Sequence, residues 1–291
     1  MFVQTNTIRA AKNYMQDRLQ SLFSESEIRQ IAREAICQRM QLTPSEYLLS
    51  DDHLLSESDL LFLRSVVKRL LVNAPFQYIL GSVHFCNLEL KTDARALIPR
   101  PETEELVVWV SEHYSGAQSI NVLDVCSGSG CIALALKNAH PRWDIQGFDV
   151  SKDAIELSKE NARQLGLQVD FIEADALSVS VWDLIESNSL DCIVSNPPYI
   201  PNDERNRMNQ NVLDYEPGLA LFVSDEDPLI FYRAIAQLSM RMLKSEGTLF
   251  FELHENFSQE TVELMQTLGF VNIELRKDLQ GKNRMLLLQK P

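Results

Sequence analysis

The spacing of apolar residues divides this chain into two regions. Over roughly the first 75 residues they recur at steps of three and four. Ile8, Ala11, Met15, Leu19 and Leu22 mark one helical face, Ile28, Ile31 and Ala35 a second, and Leu60, Leu63, Val67 and Leu70 a third. Start signals sit where these faces begin. Ser24 with Glu27 reads as a capping box, "TPSE" (43–46) puts Thr at N-cap, Pro at N1 and Glu at N3, and Ser56 with Asp59 opens the last helix. Residues 1–75 are expected to form a small helical bundle with no chemistry of its own.

Residues 76–100 change character. "FQYILGSVHFCNLELKTD" carries a Gly81 break and short runs of strand formers, so a hairpin or extended connector is expected. "ALIPRPETEELVVWV" then leads through two prolines and an acidic first turn into an apolar helix. From residue 118 strands and helices alternate. Strands are expected at 119–125, 144–150, 169–175, 190–196 and 247–253. Helices are expected at 131–139 and 151–166, from a cap at Asp227-Pro228 to about Leu243, and at 258–268. Strands alternating with helices predict an α/β fold with a doubly wound, mostly parallel sheet over residues 101–291. The final strands, "VNIELRK" and "NRMLLLQ", are separated only by 278–282 and should pair antiparallel at the sheet edge.

Composition narrows the function classes. No segment approaches 18 consecutive apolar residues, so no membrane helix is expected. The N-terminal "MFVQTNTIRAAKNYMQ" lacks the charged start, apolar core and cleavage site of a signal peptide, and a cytoplasmic protein is expected. Five scattered cysteines without a CxxC pair suggest reduced thiols and no zinc site, with Cys37 and Cys192 as small core hydrophobes. A net charge of −14 disfavours nucleic acid, whose phosphates select basic surfaces. An acidic surface suits a small molecule or a basic protein partner, or serves solubility alone.

Candidate chemistry lies at three successive strand ends and sharpens at a fourth. "LDVCSGSGC" (123–131) is a glycine-bearing βα turn, where backbone can approach a ligand and a helix offers free N–H groups. Asp149 ends the second strand, where such folds bind ribose hydroxyls, and Asp175 ends the third, where an adenine or a second ribose contact would fall. These features predict a nucleoside site without separating NAD from S-adenosylmethionine. "NPPY" (196–199) closes the fourth strand. A residue before proline is held extended, and neither proline has an N–H, so the turn is stiff and rich in acceptors. It suits a flat NH2 group, bound by the Asn196 side-chain oxygen and a backbone carbonyl, with Tyr199 able to stack on it. The plain alternative is a proline-terminated strand with a packed Tyr.

With the nucleoside turn, "NPPY" resembles the motif of amino-group N-methyltransferases that use S-adenosylmethionine. "PFQYILG" (75–81), "LIPRPETEELV" (97–107), "LDVCSGSGCIALAL" (123–136), "SNPPYI" (195–200) and the closing "KDLQGKNR" (277–284) together resemble the HemK/PrmC family of protein-(glutamine-N5) methyltransferases. The resemblance spans essentially the whole chain and implies a seven-stranded methyltransferase sheet behind a small helical domain. It implies S-adenosylmethionine as cofactor, leaving S-adenosylhomocysteine. It further implies that the partners are class 1 peptide chain release factors, methylated on the glutamine of a Gly-Gly-Gln loop. Carried onto matching positions, Cys126, Ser127, Gly128, Ser129 and Gly130 would wrap the methionine end of the cofactor, with Asn196 also against it. Asp149 would bind ribose, and Asp175 and Ala176 would border adenine. Asn196, Pro197, Pro198 and Tyr199 would hold the glutamine amide, with Asn196, Pro197 and Tyr199 as the catalytic set. "PRPETE" would line the cleft, and the helical domain would recognise the release factor. No metal, no directly bound nucleic acid and no membrane are expected, and the chain is expected to act as a monomer.

Three stretches depart from the family pattern. Cys126 stands where Gly is usual; a Cys fits there if its φ is negative, so binding should survive, with the thiol open to oxidation. "FVSDEDPLIFY" (222–232) lacks glycines frequent in that stretch, and "ELHENF" (252–257) lacks the usual Gly and Gln. Two other readings compete: a methyltransferase for exocyclic amino groups of nucleic acid, and a binding protein with a degenerate site.

Overall fold

The computed structural model describes residues 5–179 and 185–291; residues 1–4 of the N-terminal stretch read above lie outside them. The chain forms two units, Met1–Gly81 with Gln210–Tyr215, and Ser82–Asn209 with Glu216–Pro291.

The first unit holds α1 (Ile8–Leu19), α2 (Glu25–Met40), α3 (Pro44–Leu48), α4 (Glu57–Leu70) and α5 (Phe76–Leu80). All three capping boxes form: the hydroxyls of Ser24, Thr43 and Ser56 accept backbone N–H groups of Glu27, Glu46 and Asp59, whose carboxylates accept in return. The periodic apolar faces meet in one core through Ile8, Met15, Leu19, Ile28, Ile36, Leu63, Val67 and Leu70. Leu22 is a correction. The first helix stops at Leu19 so that the chain can turn to the Ser24 cap, and Leu22 is left 48% exposed. Phe76–Leu80, whose strand formers suggested extended chain, is instead a helical turn stopped by Gly81 at φ 77.

The second unit opens with an antiparallel hairpin, β1 (Ser82–Phe85) and β2 (Leu88–Lys91). Cys86 and Asn87 turn it with φ of 46 and 64, the left-handed pair of a type I′ two-residue turn. Then come α6 (Pro101–His113), β3 (Asn121–Val125), α7 (Cys131–Ala139), β4 (Asp144–Asp149), α8 (Lys152–Leu165), β5 (Asp170–Glu173), β6 (Leu190–Ser195) and β7 (Ile200–Pro201). After α9 (Gln210–Tyr215), which belongs to the helical unit, follow β8 (Phe222–Val223), α10 (Ile230–Met242), β9 (Leu243–Glu252), α11 (Ser258–Thr267), β10 (Val271–Lys277) and β11 (Asn283–Gln289). The short parallel pair β7–β8 and the helix α9 have no counterpart in the pattern of apolar residues. At the start of α10 the Asp227 carboxylate takes the Arg233 guanidinium at 2.6 and 3.0 Å and a backbone N–H from Leu229, and its carbonyl accepts the Ile230 N–H.

Seven strands form one sheet in the order β10-β11-β9-β6-β3-β4-β5. The run β9-β6-β3-β4-β5 is parallel, and β11 is antiparallel to both β9 and β10. Alternate strand residues feed two cores. Val122, Ile145, Val194 and Phe250 pack with α6 and α7 on one face, and Leu123, Val125, Ile193 and Phe251 with α10 on the other. From β3 the chain winds outward through β4 and β5, then returns to β6 and winds the other way. The switch point therefore lies between the carboxyl ends of β3 and β6, where such sheets bind ligands.

Candidate active site

The turn from β3 to α7 takes left-handed backbone three times, at Cys126 (φ 61), Gly128 (φ 54) and Gly130 (φ 80). Gly130 is a packing glycine, since a Cβ there would lie 2.7 Å from Cζ of Phe171. Gly128 faces open space, with only Ala96 Cβ at 4.0 Å. The Ser127 N–H donates to the Phe148 carbonyl at 3.0 Å and the Gly128 N–H to Asp149 Oδ2 at 2.9 Å, tethering the loop to the end of β4. From α8, buried Asn161 donates to the carbonyls of Ser129 and Lys91 and accepts the Lys91 N–H, tying loop to hairpin.

Cys126 departs from its expected geometry. Its φ is positive, so the condition under which a Cys fits without strain is not met; a left-handed non-Gly residue costs about 1–2 kcal/mol. The residue itself is half-buried, at the wall of the cavity below the loop. Burial, then the nearby carboxylates of Asp149, Asp124 and Asp175, push its thiol well above the ordinary thiol range, and the thiolate is the reactive form.

Below this loop lies a cavity of about 230 Å³. Its walls are Cys126, Ser127, Gly128 and Ser129 from the loop, Asp149 after β4, Asp175 and Ala176 after β5, Asn196 and Pro198 after β6, and the segment 95–100. Of the expected site residues, Gly130, Pro197 and Tyr199 do not line it. Asp149 accepts the N–H groups of Gly128 and Ser151, one on each oxygen, and burial raises its pKa above the ordinary carboxylate value. Asp175 is exposed and uses Oδ1 to accept the Leu177 N–H at 2.9 Å. The segment 97–100 is fixed by buried Glu216, which accepts the Ile98 N–H at 3.1 Å and the Arg100 guanidinium at 2.6 Å.

The end of β6 carries the rest. Ser195 donates to the Val125 carbonyl at 2.6 Å, locking β6 to β3 as both strands end. Pro197 and Pro198 are buried. Asn196 donates from Nδ2 to Thr103 Oγ1 at 3.2 Å, Thr103 donates to Glu252 Oε2 at 2.7 Å, and Tyr199 donates to Glu252 Oε1 at 3.0 Å. The Tyr199 ring meets His254 edge-on, with centroids 5.8 Å apart. Thr103 lies in "PRPETE", the stretch expected to line the cleft, and it does line the cavity, but its link to Asn196 was not read, and Glu252 was missed altogether. The signal for Glu252 was a lone carboxylate closing the apolar run "GTLFFE" at the carboxyl end of a parallel strand.

The residues present fit S-adenosylmethionine. Ser127 Oγ is buried at the cavity wall without a hydrogen-bond partner, as a site awaiting a polar ligand would leave it. Beside it, Gly128 leaves the loop backbone open, and Asp149 offers an acceptor where a ribose would lie. Among the described residues no group of His, Cys, Asp or Glu is placed to hold a metal ion, and no helix is long and apolar enough to cross a membrane.

Comparison with known proteins agrees over most of the chain. Residues 10–81 match the PrmC N-terminal domain family and residues 104–214 the methyltransferase small domain family. The chain is 39% identical over 281 residues to the release factor glutamine methyltransferase of Flavobacterium psychrophilum, covering 94% of this chain and 97% of that protein. It is 36% identical to the protein of the same name from Bacteroides thetaiotaomicron, covering 94% and 96%. The structure of a methyltransferase from Pyrococcus furiosus superposes with a TM-score of 0.53 at 14% identity, over 77% of this chain and 96% of that one, a likeness of fold.

Proposed function

Because the chain belongs to the family of release factor glutamine methyltransferases, we propose that it transfers a methyl group from S-adenosylmethionine to a glutamine side-chain nitrogen, that of the Gly-Gly-Gln loop of class 1 peptide chain release factors. The observation that carries this reading is Asn196. Its NH2 is committed to Thr103, so its carbonyl oxygen is left to accept at the rim of the cavity.

S-adenosylmethionine, when bound, supplies a methyl group on a sulfonium with a good leaving group. In this reading residues 126–130 hold its methionine end, Asp149 its ribose hydroxyls, and Asp175 and Ala176 border the adenine. The protein's remaining task is alignment. An amide nitrogen is a weak nucleophile because its lone pair is delocalised into the carbonyl. Asn196 Oδ1 and a backbone carbonyl of the turn would accept the two N–H protons of the substrate amide, turning the π face of nitrogen toward the methyl. They would also stabilise positive charge as it develops there. Such positioning contributes several kcal/mol, with a ceiling of about 7–11 kcal/mol for ideal alignment. Both Glu252 oxygens already accept hydroxyl protons, so this carboxylate is not a free base, and in this reading the proton departs through water after transfer. A bell-shaped pH profile traced to one side chain would contradict this step. The helical unit is assigned to release-factor recognition, and the proposed setting is a cytoplasmic monomer that binds neither nucleic acid nor membrane directly.

The test is transfer of label from S-adenosylmethionine to release factor or to nucleic acid. Label on the release-factor glutamine is the expected result, and label confined to nucleic acid overturns the reading. Asn196→Ala should fold normally and lose roughly 10²–10³-fold in kcat, the usual loss on removing one preorganised polar contact; near-normal turnover would refute the amide clamp.

A further inference from the structure

We propose that Glu252 is a positioning residue that holds both ends of the Asn196–Tyr199 turn and, through Thr103, sets which way the Asn196 amide faces. The inference rests on the reading that Asn196 receives the substrate amide, and it adds a group outside the motif that gives Asn196 its polarity.

The geometry is a directed chain. Glu252 is 1% exposed at the end of β9, and each carboxylate oxygen accepts one hydroxyl, Thr103 at 2.7 Å and Tyr199 at 3.0 Å. A carboxylate only accepts. The Thr103 proton is therefore spent on Glu252, and toward Asn196 the same hydroxyl oxygen can only accept. That selects the Asn196 rotamer with Nδ2 inward at 3.2 Å and Oδ1 outward. Without the carboxylate, a hydroxyl serves equally as donor or acceptor, and the two amide orientations approach balance. The flipped orientation would present NH2 to the NH2 of a substrate amide, donor against donor. Two further groups hold Glu252 in place. Tyr232 donates to the backbone carbonyl of Glu252 at 3.2 Å, and Arg284, an attractive charge on it, is fixed by Asp278 at 3.2 Å and by the Leu253 carbonyl at 3.1 Å. This gives the closing "KDLQGKNR" stretch a part in the site, since both Asp278 and Arg284 lie in it.

A merely structural Glu252 and a positioning one differ in what a nearly isosteric change at Thr103 does. Thr103→Val keeps the volume and removes the relay; Thr103→Ser keeps the hydroxyl. One readout is the side-chain NH2 resonance of Asn196, identified by its loss in Asn196→Asp. In the native chain it should be protected from exchange, in Thr103→Val exposed, and in Thr103→Ser protected again. The second readout is methyl transfer. Thr103→Val should lose about 10²-fold in kcat with S-adenosylmethionine affinity unchanged, and should unfold at a lower temperature because buried Glu252 is left one donor short, whereas Thr103→Ser should recover most of both. Glu252→Gln should also lose kcat, because in either amide orientation one end of the turn loses its acceptor. Unaltered protection or native kcat in Thr103→Val overturns the proposal. If the native chain methylates no release factor while Asn196 responds as described, the relay stands and the assigned substrate falls.

Discussion

Cys126 sits in the β3–α7 loop with φ 61, a conformation that its Cβ opposes. Nothing in its thiol chemistry offsets this, since burial and three nearby carboxylates keep it protonated. Cys126→Gly should therefore be neutral to stabilising, by up to about 1 kcal/mol once the added freedom of the unfolded glycine is subtracted. Urea denaturation of the two proteins measures it, and a clear loss of stability in the glycine variant would mean that the side chain contributes packing which outweighs the strain. At this scale "NPPY" was legible because its residue types are chemically unusual together. Thr103 fell within the stretch expected along the cleft, but its pairing with Asn196 was not legible, because a threonine in a helix's first turn has several ordinary uses, and only the fold brings it to a strand end 93 residues away.

Helices and strands were legible wherever a local rule decides them. Three capping boxes mark helix starts because each is closed by residues three apart. The C-terminal hairpin was legible because five residues are too few for a crossover. The pattern fails where tertiary contacts decide. Phe76–Leu80 carries strand formers but closes as a helical turn against the bundle core, with Ile79 buried. Gln210–Tyr215 is a short helix whose Tyr215 donates to the Val72 carbonyl at 2.9 Å in a unit begun some two hundred residues earlier. Between elements, Asn161 bridges α8, β2 and the β3–α7 loop with three hydrogen bonds. Asn161→Ala should leave the loop tethered from one side only and cost about 1–3 kcal/mol. Calorimetric titration should then give weaker S-adenosylmethionine binding, and an unchanged affinity would show that the tether to β4 suffices.

Across the whole molecule, two sets of carboxyls pull stability in opposite directions with pH. Burial raises Asp124, Asp149 and Glu252 above their ordinary values. Each contributes stability that is full below its unfolded value and lost as pH rises through its folded one. Glu160 is the reverse: Arg95 and Lys91 lower it from 4.5 to about 2, so its contribution is present above 4.5 and lost as pH falls through about 2. That pair is largely solvent-screened and contributes little. Asp124 is the cleanest case, fully buried with Oδ2 accepting the Ala133 N–H at 3.2 Å and Oδ1 unpartnered. Asp124→Asn mimics its neutral form, so the stability gained over the native chain should widen from about pH 4 to about pH 8. Denaturation at both pH values measures the gap, and a constant difference would mean that Asp124 does not change its proton affinity on folding. The doubly wound sheet as a whole was legible from alternation alone, because a parallel strand needs a crossover and the crossover helices are periodic. The division into units was less so, because one stretch of the catalytic half returns to the helical one.

Glu252 has a consequence for how this protein can change over generations. Losing it alone strands two inner hydroxyls. Losing Thr103 alone leaves a buried charge with one donor fewer, and losing the Tyr199 hydroxyl alone does the same. Each single step is worse than the finished replacement of all three, so there is no gradual route away from the arrangement. On these physical grounds Thr103, Tyr199 and Glu252 form one unit of change, a set that has to be exchanged together and not one residue at a time.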